Sequence, residues 1–346
     1  MTGGFPPGYN VIQRLGAGRT ALVWLARDEG TLRDVALKIP RPELQSEPVL
    51  RRMFENEVQI TLKLDHPNVV RAFAGRPTGD DAYLALEYCP GGTLDQLLLE
   101  RGRLPLEKAT GLVLDVAAGL AHTHDNKVLH RDVKPANVFL DADGRAKLGD
   151  FGTGTFKVDD ADERVGTAFY MAPEVFEGRQ TNLRSDVYSL GVLAYEVLAG
   201  ERPFVGASYE ALMVAHLHSL PRDLRQVRGE LPVKVAKVVA RALARDPERR
   251  FADAGAFVVA YREALGLASA EVVEPTASST AQPSVGRGGA RRPVATDAEP
   301  PADGNGGGRG GARADVGSPA RADRGAAPAD DPAPVKRGWW PFRRRS

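Results

Sequence analysis

The stretch from Val128 to Leu140 constrains the fold of this chain more than any other segment. Its sequence, VLHRDVKPANVFL, has apolar, strand-like runs on both sides of a polar loop that carries Asp132, Lys134 and Asn137. Phosphoryl transfer uses these three groups. The carboxylate orients the attacking hydroxyl and takes its proton, the cation offsets phosphate charge, and the amide oxygen binds a metal ion. A surface cluster of salt bridges is the alternative interpretation of His-Arg-Asp alone. The full pattern with its apolar flanks favours a catalytic loop.

This stretch resembles the catalytic loop of eukaryotic-type protein kinases, H-R-D-x-K-x-x-N, with Val133 at the variable position. The resemblance implies an α+β, two-lobed protein-kinase fold. Its N-lobe would be a small antiparallel β-sheet with one main helix, and its C-lobe would be mostly helical. The implied cofactors are ATP and Mg²⁺, with Mn²⁺ as an alternative metal. The catalytic residues that it implies are Asp132, Lys134 and Lys38.

A glycine-containing loop lies near the start of the chain. Segments 11–15 and 21–26 predict two strands around the loop sequence GAGRT. This is either a hairpin with a flexible tip or a loop that lies over nucleotide phosphates, because glycine lets backbone amides approach them closely. Kinases have G-x-G-x-x-G-x-V here, and Ala21 replaces the third glycine. Alanine is small, so we expect a modest loss of loop freedom and retained nucleotide binding. The nucleotide-binding set that the resemblance implies is Leu15, Gly16, Ala17, Gly18, Val23, Ala36, Lys38, Glu57, Glu87, Cys89 and Asn137.

Lys38 lies near the end of the strand that segment 34–39 predicts. Such a lysine is often a solvated edge charge, but its position after the glycine loop resembles the kinase lysine that holds the α- and β-phosphates. Its partner is expected to be a glutamate on the next helix, which the periodicity of 51–64 predicts. Glu57 is preferred because its spacing to the sequence DHPN resembles the kinase pattern. Glu55 remains the alternative.

The segment EYCPGG at 87–92 is predicted to be the hinge between the lobes, after strands at 69–73 and 83–86. Hinge backbone groups bind the adenine edge in this family, which implies the main chains of Glu87 and Cys89, with Leu86 guarding the pocket behind them. Helices are expected from Thr93, as N-cap, to Glu100, and over 106–125.

Asp150 follows a short apolar segment in the sequence AKLGDFG. An unpaired buried carboxylate is costly, and a divalent cation would compensate its charge. The segment resembles the D-F-G element of kinases, whose aspartate binds Mg²⁺ between the phosphates. Asn137 and Asp150 are therefore the predicted metal ligands.

Residues 153–165 show no periodicity and are rich in acidic side chains, and GTAFYMAPE at 166–174 resembles the end of a kinase activation segment. The Gly-Thr pair and Lys134 resemble serine/threonine kinases rather than tyrosine kinases. Arg131 resembles the arginine of kinases that are switched by phosphorylation. The candidate hydroxyls are Thr153, Thr155 and Thr167. Two interpretations of the acidic residues stay open: substitutes for a phosphate opposite Arg131, or a solvated loop.

The remaining segments suggest one large domain followed by a tail. A helix over 186–198 is apolar nearly all round and therefore central. Asp186 resembles the residue that supports the catalytic loop, and Arg250 the arginine that pairs with Glu174. The predicted kinase domain is 9–267, with an N-lobe of about 9–86, a hinge at 87–92 and a C-lobe at 93–267.

The tail is predicted to be a disordered low-complexity linker over 268–335, because it has almost no large apolar residue to bury. Residues 336–346, KRGWWPFRRRS, combine aromatic and basic side chains. Docking to an anionic membrane surface, docking to a protein, or no defined role are the alternatives. Nucleic acid is a weaker partner, since the net charge is only +1. The docking candidates are Trp339, Trp340, Arg343, Arg344 and Arg345.

The amino-acid composition narrows the possible class of protein further. Cys89 is the only cysteine, which excludes an intrachain disulfide and a cysteine-rich zinc site. No apolar run approaches the roughly 20 residues of a transmembrane helix, so the expected location is cytoplasmic or peripheral to the membrane.

The expected function is a signalling serine/threonine protein kinase that transfers the ATP γ-phosphate to Ser/Thr hydroxyls of proteins, including itself, and self-association for autophosphorylation is an expected interaction. A pseudokinase and a small-molecule phosphotransferase are the alternatives. The presence of Lys38, Asp132 and Asp150 argues against the first of these, and the Gly-Thr and Ala-Pro-Glu elements argue against the second.

Overall fold

The computed structural model describes residues 5–18, 20–41, 47–151 and 161–267, with the side chains of 161–164 excluded. The predictions for the activation segment before residue 161 and for the whole tail therefore lie outside the described residues. They are the predictions for Thr153, Thr155, Trp339, Trp340, Arg343, Arg344 and Arg345.

The N-terminal lobe is a five-stranded antiparallel sheet with the order β1-β2-β3-β5-β4. Its elements are β1 (Tyr9–Ala17), β2 (Ala21–Asp28), β3 (Asp34–Pro40), helix α1 (Pro48–Thr61), β4 (Ala72–Arg76) and β5 (Tyr83–Glu87). In β3, Lys38 pairs with Val23 of β2 and with Leu84 of β5. The lysine therefore lies in the middle of the sheet and not at an edge.

The C-terminal lobe is mostly helical, which confirms the predicted α+β, two-lobed architecture. Its elements are α2 (Leu94–Arg101), α3 (Leu106–Asp125), β6 (Val138–Leu140), β7 (Ala146–Leu148), α4 (Ala161–Ala168), α5 (Pro173–Phe176), α6 (Leu183–Ala199), α7 (Tyr209–His218), α8 (Leu224–Val227), α9 (Val233–Ala242) and α10 (Ala254–Ala264). Helix α6 is buried on nearly all sides, as its sequence predicts, and packs against α3, α9 and α10. It forms the centre of this lobe.

Local capping chemistry explains several helix boundaries. Thr93 caps α2 as predicted, and Gln96 completes a capping box with it. Helix α1 begins at Pro48, three residues before the predicted start. Proline is favoured at the first helical position, because the N–H group that it lacks would have no hydrogen-bond partner there. Helix α6 also begins early, because Asn182 caps it through the N–H groups of Arg184 and Ser185.

Helix α4 differs from the sequence prediction, which gave no regular structure up to residue 165. The helix has eight residues, which is too short to display a repeating apolar face. It packs against α7, an element that the sequence analysis did not predict. Tertiary contact therefore decides its conformation.

Helix α3 passes very close to the loop before β4. A Cβ atom added at Gly119 would lie 2.2 Å from the carbonyl oxygen of Asn68, whereas one added at Gly111 of the same helix would meet nothing within 4 Å. We expect Gly119→Ala to lower the free energy of unfolding by about 2–3 kcal/mol, because backbone must move. We expect Gly111→Ala to raise it by about 1 kcal/mol through helix propensity. Urea denaturation of both variants measures the difference, and equal effects would contradict the close packing.

His216 of α7 is buried among aromatic rings, and its Nδ1 lies 2.8 Å from the Tyr188 hydroxyl oxygen. Burial lowers its pKa from 6.5 to about 4. The unfolded chain therefore binds a proton at a higher pH than the folded chain does. The contribution of this group to stability is complete above pH 6.5 and is lost as the pH falls towards 4.

We therefore expect a loss of about 3 kcal/mol from this group between neutral pH and pH 4. In His216→Gln, which has no titrating ring, the decline of the unfolding free energy should be shallower by about this amount. Denaturant titrations at a series of pH values measure it. Parallel pH profiles for the two proteins would rule out this role.

Candidate active site

Lys38 projects from the centre of the N-lobe sheet into a cluster of carboxylates. Its Nζ lies 2.5 Å from Glu57 Oε1 and 3.2 Å from Asp150 Oδ1, and Lys38 and Glu57 are each only 3% exposed. Glu55, the alternative partner, lies instead 3.5 Å from Arg51 on the same helix. The geometry therefore brings Glu57, and not Glu55, to the lysine.

Burial and the interactions among Lys38, Glu57 and Asp150 shift the pKa values of all three groups. Burial acts to lower the pKa of Lys38, but Asp150 and Glu57 outweigh it, so that the pKa is raised. Burial acts to raise the pKa of Asp150, but Lys38 outweighs it, so that the pKa is lowered. Burial raises the pKa of Glu57 to about 7 against the opposing effect of Lys38. Lys38 and Asp150 are therefore both ionised at neutral pH, and the lysine charge is available to a phosphate.

The loop between Val128 and Leu140 brings its three polar groups together. Lys134 Nζ lies 2.8 Å from Asp132 Oδ2 and donates to Thr167 Oγ1 at 3.1 Å. The Asn137 amide nitrogen donates to Asp132 Oδ2 at 3.0 Å and to the Asp132 carbonyl oxygen at 2.8 Å. The carboxylate is thus held between a cation and an amide, beside the end of the activation segment.

Asp186 holds this loop from the helix beneath it. Its two carboxylate oxygens each accept a backbone N–H at 2.8 Å, from His130 and from Arg131. The Nε2 of His124 lies 3.2 Å from the same carboxylate, which is 1% exposed. Arg131 has a φ of 66°, which is unfavourable for a residue other than glycine. The two hydrogen bonds to Asp186 stabilise this strained backbone.

The segment that carries Asp150 is joined directly to the catalytic loop. The Gly149 N–H donates to the Asn137 carbonyl oxygen at 3.0 Å, and the Gly149 carbonyl oxygen lies 3.1 Å from His130 Nε2. Burial lowers the pKa of His130, which favours the neutral ring in this position. Asp150 has a φ of 66°, so its backbone is also strained. Strain at both Arg131 and Asp150 is typical of a functional site.

A cleft between the sheet and the C-lobe opens onto Lys38, Glu57 and Asp150. Its lining includes four of the predicted nucleotide-binding residues, Val23, Lys38, Glu57 and Glu87. Leu15, Ala36 and Cys89 are buried beside it in one apolar cluster with Val23. Gly16 and Ala17 end β1, and the Gly18 N–H donates to the Ala21 carbonyl oxygen at 2.8 Å. Burial raises the pKa of Cys89 to about 12, so its thiol is unreactive.

The sequence analysis missed three of the residues that line the cleft. Val70, Phe139 and Thr61 also line the cleft, and Val70 and Phe139 pack with Val23 in the same cluster. They come from separate segments. Val70 and Thr61 belong to no motif, and Phe139 lies in the apolar flank after Asn137, which the sequence predicts only as a strand. Only the folded arrangement of the two lobes places them together.

The donor set fits a metal ion that protein and phosphates bind jointly. The Asn137 nitrogen donates to Asp132, which leaves the amide oxygen as its coordinating atom, and Asp150 adds a carboxylate. Among the described residues, no group of three or more His, Cys, Asp or Glu side chains could hold a metal ion. Mg²⁺ is commonly bound by one or two protein oxygens together with phosphates and water, so the residues present fit it.

Comparisons with known proteins identify the family of this chain. The protein kinase domain model matches residues 9–260, so the chain belongs to the protein kinase family. It is 36% identical over 252 residues to the serine/threonine-protein kinase PknB of Mycobacterium leprae, a match that covers 70% of this chain and 40% of the relative. It is 31% identical over 247 residues to PrkC of Bacillus subtilis, which covers 70% of this chain and 38% of the relative.

A solved structure supports the fold as well. The crystal structure of the Mycobacterium tuberculosis PknI kinase domain superposes with a TM-score of 0.59 at 29% identity, covering 77% of this chain and 99% of that domain. The chain spans 40% and 38% of the lengths of its relatives PknB and PrkC. None of the helices in the described ranges has the length and apolarity that crossing a membrane requires.

Proposed function

We propose that this protein is a serine/threonine protein kinase that transfers the γ-phosphate of ATP to protein hydroxyls. The observation that carries the proposal is a continuous network across the cleft. It runs from Glu57 to Lys38 and Asp150, and Gly149 joins Asp150 to the loop of Asn137, Asp132 and Lys134. Phosphoryl transfer relies on positioning and electrostatic stabilisation, and these groups supply both.

Each residue has a role that follows from its place in the network. Asp132 accepts the proton of the substrate hydroxyl and orients that hydroxyl for attack. Lys134, 2.8 Å from Asp132, stabilises charge on the transferring phosphate. Lys38 holds the remaining phosphates and is itself oriented by Glu57. Asn137 and Asp150 would hold a Mg²⁺ ion, which would neutralise charge on the phosphate oxygens.

The bond between Lys134 and Thr167 supports a serine or threonine acceptor. It fixes the end of the activation segment beside Asp132, where a substrate hydroxyl would lie. The chain's relatives PknB and PrkC carry the name serine/threonine-protein kinase. We further propose that a second copy of the chain is one of the substrates and that the reaction serves signalling.

Transfer of labelled γ-phosphate tests the proposal. The full chain is incubated with labelled ATP and Mg²⁺, with and without a basic protein substrate, and the labelled residues are mapped. We expect phosphoserine and phosphothreonine on the substrate, and sites on the chain itself among Thr153, Thr155, Thr167 and tail residues such as Ser318. Binding of ATP without any transfer would support a pseudokinase instead. Transfer only to small hydroxyl compounds would support a small-molecule phosphotransferase.

A further inference from the structure

Lys147 is a buried charge that the proposed chemistry does not use. It lies in the middle of β7 and is 9% exposed. Its Nζ donates to the Pro67 carbonyl oxygen at 2.8 Å and lies 3.1 Å from Glu87 Oε1. One ammonium group therefore links three segments: β7, the loop before β4, and the first residue of the predicted hinge.

We propose that Lys147 is a positioning residue for the nucleotide: by holding the Glu87 side chain, it fixes the hinge backbone against which the adenine packs. The inference rests on the proposed ATP-dependent function. It gives a role in nucleotide binding to Lys147, which does not itself line the cleft.

Glu87 is fixed from several directions, and Lys147 provides the only ion pair among the described contacts of its side chain. The Glu87 N–H donates to the Arg71 carbonyl oxygen at 2.8 Å, and the Arg71 N–H donates to Glu87 Oε2 at 3.4 Å. The 3.4 Å contact is long, so it constrains the carboxylate weakly. Glu87 also lines the nucleotide cleft. The same residue thus faces the cleft on one side and Lys147 on the other.

Strand β7 does not need this lysine for its own position. The Leu148 N–H donates to the Asn68 carbonyl oxygen at 2.8 Å, and the Leu148 carbonyl oxygen accepts from the Val70 N–H at 2.9 Å. The Asn68 side chain also donates to the Ala146 carbonyl oxygen at 3.0 Å. Backbone and amide bonds therefore already hold β7 to the loop before β4.

Removing a lysine from water costs free energy unless it is paired, and an apolar residue of similar size would pack at this position without that cost. An apolar residue would lack two contacts, the hydrogen bond to the Pro67 carbonyl oxygen and the ion pair with Glu87. Since β7 is already held to the loop before β4 by other bonds, the contact with Glu87 is the one that adds a link to the hinge.

Nucleotide affinity in an inactive background tests the proposal. The full chain with Asp132→Asn is compared with the same chain carrying Lys147→Met, Glu87→Gln or both, and calorimetry measures the Kd for Mg²⁺-ATP and for adenosine. We expect Lys147→Met to weaken both ligands by the same factor of roughly five, since the hinge contacts the base. Glu87→Gln should weaken the binding of both ligands less than Lys147→Met does. The double variant should bind no more weakly than Lys147→Met alone, because both changes remove the same contact between Lys147 and Glu87.

The matched control is Arg222→Met, which removes an exposed ion pair of 3.2 Å to Glu201, far along the chain from the hinge. We expect it to leave both affinities unchanged. If Lys147→Met lowers the melting temperature but leaves the adenosine Kd within about twofold, Lys147 is only a structural brace and the proposal is overturned. Tighter binding in Lys147→Met would also overturn it. If the wild-type chain fails to transfer phosphate, the proposed function is refuted. The affinities of the variants are measured separately and still decide the role of Lys147.

Discussion

Replacing Asp132 with asparagine is expected to lower the rate of phosphoryl transfer by roughly 10³-fold. Asparagine has nearly the same shape and retains an oxygen that can accept from Asn137, which lies 3.0 Å from the carboxylate. It cannot take the proton of the attacking hydroxyl. The Kd for Mg²⁺-ATP should therefore stay close to that of the wild type. Initial rates with labelled ATP and calorimetric titration measure the two quantities.

Asp143→Asn provides the matched control for this prediction. Asp143 is an exposed aspartate in the turn between β6 and β7, so the same chemical change there should leave both the rate and the affinity unaltered. If Asp132→Asn keeps more than about a tenth of the wild-type rate, Asp132 does not act as the base. A large fall in ATP affinity would indicate a disturbed cleft.

Replacing Arg250 with methionine is expected to lower the free energy of unfolding by about 3–5 kcal/mol. Arg250 Nη1 and Nη2 donate to Glu174 Oε1 and Oε2 at 2.8 Å each, and these side chains are 0% and 2% exposed. Burial acts to raise the pKa of Glu174, but the hydrogen bonds from Arg250 and Ser185 outweigh it, and the pKa is lowered. Without the arginine, a buried carboxylate loses its counter-charge. Guanidinium denaturation measures the loss.

Two comparisons isolate the buried charge. Arg250→Met combined with Glu174→Gln should be more stable than Arg250→Met alone, because the second change removes the uncompensated carboxylate. Arg222→Met, which breaks the exposed ion pair with Glu201, should change the unfolding free energy by no more than about 1 kcal/mol. A cost for Arg250→Met as small as that of Arg222→Met would show that the buried pair contributes little.

The sequence predicted local structure well where a short segment contains its own signal. The bounds of α3 are those of its apolar pattern, and Thr93 caps α2 through its side chain. The loop after Val128 was predicted to bring Asp132, Lys134 and Asn137 together, and both Lys134 and Asn137 contact Asp132 in the structure. Each of these signals depends on neighbours in the chain, so the folded context does not change them.

Other features could not be read from the chain. Helices α4 and α7 were not predicted, since they have only eight and ten residues and neither shows a repeating apolar stripe that would mark a helix. Val70 belongs to no motif, and Phe139 lies in an apolar flank that the sequence predicts only as a strand, although both residues line the cleft. Glu55 and Glu57 lie on one helix two positions apart and therefore face different directions, and only the packing of α1 decides which of them reaches Lys38.

The sequence by itself determined the family, the two-lobed architecture and the residue types that phosphoryl transfer requires, because motif spacing and periodicity are properties of the chain alone. The tertiary structure decided which charges meet. Three of the interacting pairs are far apart in sequence: Lys38 with Asp150, Asp186 with the backbone of Arg131, and Lys147 with Glu87. Electrostatic interaction depends on distance and burial, and neither quantity exists until the chain has folded.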